Sequence, residues 1–176
     1  VPAFMTLFAL AVAAMCAGIP VPDTETSGAV REALPLLGGQ LARFQAAYPV
    51  WSKFAAGFML LFAGMCTGRI SIRYNLYTVG TCLPIPLYAI VACGIATGGN
   101  YLAGFAASML LALATKNYCR AFCNGYGFDA IFRASLYLGL MPLIYAPALP
   151  LLLLLPLAVL LFRRTFREVV VATAGL

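Results

Sequence analysis

The chain has no histidine and only five acidic residues among 176. Without histidine, the thiols Cys119 and Cys123 do not complete a zinc site, so no metal and no cofactor are expected. No carboxylate falls within any long hydrophobic run. That weighs against a proton-coupled transporter, because relays through a bilayer use intramembrane ionisable groups. Charge of either sign is scarce, at 9% of residues, while 64% are hydrophobic and mean hydropathy is +0.98. A soluble domain of this size lacks the polar side chains to cover so much apolar material. The expected solvent is a lipid bilayer.

What charge there is falls in the gaps between hydrophobic runs. The gap at 20–53 carries Arg31, Arg43 and Lys53, with Asp23, Glu25 and Glu32. The following gaps alternate. Arg69 and Arg73 occupy 69–80 and the stretch 97–101 is uncharged. Lys116, Arg120 and Arg133 accompany Asp129 in 116–133, and the bend at 146–150 is uncharged. Arg163, Arg164 and Arg167 close the series beside Glu168. Every second gap is therefore basic, which is the positive-inside pattern of a polytopic membrane protein with its basic gaps in the cytoplasm. The net charge of +6 then reflects orientation and attraction to anionic lipids on the cytoplasmic side, and no nucleic-acid partner is expected.

The expected fold is all-α: a polytopic transmembrane helix bundle, one domain over 1–176, with an amphipathic outer-surface segment. Spans are expected at about 2–19, 50–68, 81–97, 101–122, 130–146 and 148–162, with the start of another at 169. The chain begins at Val1 within a hydrophobic run and stops at Leu176 within another, a pattern that predicts a longer native protein. Between 30 and 48, Val30, Leu34, Leu37, Leu41, Phe44 and Tyr48 recur at helical spacing, interrupted by Pro35 and Gly38-Gly39. One or two short helices lying along the outer membrane surface follow from that pattern. Pro142 and Pro156 interrupt the two arms of the last hairpin, and Pro147 and Pro150 form its bend. Its arms are expected to be two short spans, with a re-entrant hairpin as the alternative. Cys16, Cys66, Cys82 and Cys93 lie within apolar runs and act as small hydrophobes. Cys119 and Cys123 fall on the side expected to be reducing.

Three segments carry a family resemblance: 68–76 (GRISIRYNL), 127–130 (GFDA) and 161–168 (LFRRTFRE). Their order and spacing resemble an uncharacterised family of multi-pass inner-membrane proteins of Gram-negative bacteria, a domain of unknown function. The resemblance implies topology and a bacterial cytoplasmic membrane, and it transfers no activity.

Three groups of residues are candidate sites. Arg69/Arg73 and Lys116/Arg120 are i,i+4 basic pairs whose mutual repulsion an anionic partner would relieve. They read either as a lipid-phosphate or pyrophosphate pocket or as topogenic charge at the membrane face. Asp129 and Arg133 fit a structural cap at a helix start. Asp23 and Glu25 are the catalytic candidates, since they directly follow the first run. That layout resembles the C-type glycosyltransferase superfamily, in which an acidic residue of the first outer loop would deprotonate an acceptor or hold a divalent cation. A solvated loop or helix start fits the same residues. Because no catalytic constellation stands out and small-residue helix faces suit packing against membrane-protein partners, the leading expectation is a scaffold component of cell-envelope assembly. A polyprenyl-phosphate-dependent glycosyltransferase and a transporter built on proline-broken helices are the alternatives.

Overall fold

The computed structural model describes residues 36–74, 85, 87, 88, 91, 101–123, 127–153 and 166–175. Over these residues the fold is all-α, with no strand. Five α-helices are α1 (Leu36–Ala47), α2 (Pro49–Arg73), α3 (Tyr101–Cys123), α4 (Phe128–Ile144) and α5 (Phe166–Ala174), and a 3₁₀ helix spans Ala146–Leu153. The expected span at 2–19, and most of those at 81–97 and 148–162, lie outside the described residues.

α2 begins with Pro49 in its first turn, where the missing N–H costs nothing because it has no intrahelical partner anyway. Its 25 residues rise roughly 37 Å at 1.5 Å each. It is the one described helix long and apolar enough, by length and composition, to cross a bilayer. It outruns the expected span by about a turn, so Arg69 and Arg73 are helical rather than part of a turn. No glycine or proline interrupts 69–73, and the chain leaves the helix only at Tyr74, whose N–H still donates to the Ile70 carbonyl at 3.1 Å.

α2 and α3 run parallel and in register. Ser52 meets Tyr101 at their starts, 49 positions apart, and midway along both helices Ala63 and Cys66 share a buried cluster with Ala112. Of the residues between them, Ile85 lies against Gly68 and Tyr88 packs on the Ala63–Cys66–Ala112 cluster. Close approach explains Gly68, since a Cβ there would fall 2.5 Å from Ile85 Cγ1.

α3 and α4 form an antiparallel hairpin, with Gly127 packed against Ala121. Ala107, Ala114, Ala121, Ala130, Ile131 and Leu138 belong to the main buried cluster along that seam. Pro142 does not break α4, which continues to Ile144. A proline so near a C-terminus removes one hydrogen bond and leaves the last turn intact. The expected bend at Pro147 and Pro150 is a 3₁₀ helix rather than the start of an α-helical arm. Two prolines three residues apart remove the N–H groups an α-helix would need there. α5 packs on α4, with Gly175 against Ser135 and the Phe132 carbonyl.

α1 packs across the end where α2 and α3 start, and it also touches α4. Gly38 and Gly39 lie within this helix rather than interrupting it. The face it buries is not its apolar one. Gly38 and Gln45 are buried, while Leu37, Phe44 and Tyr48 stay exposed. The Leu102 N–H, in the first turn of α3 where no intrahelical acceptor exists, donates to Gln45 Oε1 at 3.4 Å.

Candidate functional site

The parallel register of α2 and α3 brings the two basic pairs to one end of the bundle. With a 49-residue offset, Arg69 stands level with Tyr118, and Lys116 and Arg120 lie within about 3 Å of that level along the axis. Lys116 and Arg120 continue, one and two turns on, the helix face on which Ala112 packs toward α2. Arg73 likewise lies two turns beyond Cys66 on the opposing helix. All four side chains are exposed. None of the four has an ion-pair partner among the described residues. The apolar seam between the helices thus ends in four cations.

The antiparallel hairpin adds Asp129 and Arg133 at this same end. Arg133 Nε donates to Asp129 Oδ1 at 3.1 Å, and both side chains are largely exposed. An exposed i,i+4 pair of this kind contributes about 0.3–0.5 kcal/mol. Asp129 also sits in the first turn of α4, where the positive end of the helix dipole favours it. The N-cap position is Gly127, without a side-chain capping bond, so the expected cap at Asp129 is instead an acid of the first turn. The last turns of α2 and α3 present carbonyl ends, so Arg73 and Arg120 there gain from the negative pole of each dipole.

At the opposite end, the starts of the helices are tied by buried hydroxyls. Ser52 Oγ donates to the Pro49 carbonyl at 2.8 Å. Its single proton is thereby used, so Tyr101 Oη is the donor in the 2.5 Å bond between the two hydroxyls. A second bridge runs from Tyr88 Oη, which donates to Ser108 Oγ at 3.2 Å. Sequence reading misses these bridges, because a lone serine and a tyrosine 49 positions apart carry no local signal. Tyr118 is the exception to this pattern of satisfied hydroxyls. It stacks on Phe122 with ring centroids 5.8 Å apart, and its buried hydroxyl has no partner among the described residues.

Among the described residues no group of three metal-ligating side chains forms. Asp23 and Glu25, the catalytic candidates, lie outside the described residues, as do Arg163 and Arg164. What the described end offers chemically is electrostatic: guanidinium and ammonium donors suited to phosphate oxygens. No family model, no curated protein and no solved structure matches this chain.

Proposed function

We propose that this chain is a multi-pass membrane protein of the bacterial cytoplasmic membrane, acting as a non-catalytic scaffold in cell-envelope assembly. The observation that carries the membrane reading is the large aromatic and aliphatic side chains that the helices turn outward. α2 buries mainly small residues, Ser52, Ala56, Gly57, Ala63, Gly64 and Gly68, together with Leu60, Cys66 and Ile70, and exposes Trp51, Phe54 and Phe58 at 68%, 70% and 68%. α4 buries Ala130, Ala134 and Ser135 alongside Ile131, Leu138 and Met141, and still leaves Phe128, Phe132, Leu136 and Leu143 outside. A water-soluble bundle keeps such large side chains inside, since burying each one stabilises it by about 1.5–3 kcal/mol. In lipid that driving force between helices vanishes, so close backbone packing through small residues takes over and bulky side chains face the acyl chains.

Hydroxyl bonding supports the same reading. The described serines and threonines, Ser52, Thr67, Ser71, Ser108, Thr115, Ser135 and Thr173, each donate to a carbonyl three or four residues earlier in their own helix or at its start. Such internal satisfaction is what a medium without water demands. The outward apolar face of α1 fits a helix lying in the membrane interface, and the basic end fits the cytoplasmic side. The scaffold role is supported by small-residue faces suited to helix partners, and the envelope assignment rests on the family resemblance.

Purification of the full-length protein in mild detergent tests this role. A stoichiometric protein partner is the expected result. A bound polyprenyl lipid with no partner, together with loss of a surface glycan in the D23N/E25Q variant, would replace the scaffold by the glycosyltransferase alternative.

A further inference from the structure

The four-cation end differs from ordinary topogenic charge in being a cluster on two adjoining helices with an apolar track leading to it. Each i,i+4 pair covers about 6 Å along its helix, and packed helix axes stand about 8–10 Å apart. Two phosphates joined by a short linker match that spacing, one phosphate to each pair. Arg69 also continues the exposed apolar face of α2, one turn beyond Met65 and three beyond Phe58. A cation directly in line with an exposed apolar stripe suits an amphiphile better than a free anion, because headgroup and chains are engaged together.

We infer that Arg69/Arg73 and Lys116/Arg120 together bind the headgroup of an anionic phospholipid carrying two phosphates, with its acyl chains along Met65 and Phe58 of α2. The inference rests on the membrane reading. Asp129 does not compete for these cations, since it is engaged by Arg133. The guanidinium groups supply bidentate contacts to phosphate oxygens, and Lys116 adds a compact charge.

The test uses the full chain reconstituted in vesicles of phosphatidylglycerol with a minor fraction of cardiolipin, a glycerol-bridged lipid with two phosphates. Retained lipid is read by native mass spectrometry after extraction, and inorganic pyrophosphate serves as the free-anion probe. The wild type should retain cardiolipin over phosphatidylglycerol. R69Q/R73Q and K116Q/R120Q should each retain it roughly thirtyfold less, as expected for two cations lost near an anionic surface. R43Q/K53Q, which removes two cations elsewhere in the chain, should retain it like the wild type. Circular dichroism should show unchanged helicity in all three, because none of the substituted side chains is fully buried.

Equal retention by the basic-pair variants overturns the inference while leaving the membrane reading intact, provided the protein enters the vesicles. An equal loss in R43Q/K53Q overturns it as a nonspecific charge effect. Tight pyrophosphate binding without lipid preference overturns the lipid assignment. Failure of the wild type to enter vesicles overturns both the inference and the membrane reading.

Discussion

Tyr118 is the residue at which the packing leaves a debt. Its ring is well used, stacked on Phe122 and packed on the α3–α4 cluster, yet its buried hydroxyl has no partner among the described residues. A buried unsatisfied hydroxyl costs about 1–3 kcal/mol, whereas the ring alone keeps its contacts. Tyr118→Phe should therefore raise stability by about 1 kcal/mol, seen as a higher thermal midpoint in detergent. A lowered midpoint would show that the hydroxyl holds a bond. The contrast with Tyr101 is instructive, since both are aromatic residues of α3. Tyr101 donates to Ser52 across the helix pair, and neither fate is written locally in the sequence. Which tyrosine finds a partner depends on the register between helices far apart in the chain.

Among the elements, α2 and α3 were the most legible. Long apolar runs bounded by charge mark them, and their ends fall within a few residues of the expected spans. The amphipathic stretch around 36–47 was legible as a helix but not in the residues it packs. The expected surface-lying helix has Leu37, Phe44 and Tyr48 as its outward apolar stripe, and these are exposed, while Gly38 and Gln45, which carry no pattern, are the residues that pack. Periodicity locates the apolar stripe, and only tertiary contacts decide what it faces. The Ala146–Leu153 segment escaped because its proline spacing ends an α-helix without revealing that a 3₁₀ helix replaces it. Glycine gives the sharpest test at this scale. Gly68→Ala should destabilise by about 1–3 kcal/mol, because the new Cβ meets Ile85 and overpacks a helix contact. Gly104→Ala, where a Cβ meets nothing within 4 Å, should stabilise by about 0.5–1 kcal/mol through helix propensity. Thermal unfolding of both variants in one detergent checks the pair. Stabilisation by both would mean that the contact between Ile85 and α2 is absent.

At the scale of the whole molecule, the account stands on one arrangement. α2 and α3 run parallel, α4 returns, and the described charges of the 69–80 and 116–133 gaps lie at one end. That these two gaps share a side follows from the alternating pattern of charge. The placing of Arg69/Arg73 level with Lys116/Arg120 on neighbouring helices does not, because it depends on the 49-residue register between α2 and α3. Asp23 and Glu25 remain a reading of sequence alone, since their positions lie outside the described residues. The most direct measurement is single-cysteine labelling with a membrane-impermeant reagent, in intact cells, on a cysteine-free background. Cysteines placed at 24 and 99 should react from outside. Those at 71, 125 and 165 should react only once the inner membrane is opened. Labelling at 71 or 125 in intact cells, or recovery of the protein in the soluble fraction, would contradict the account.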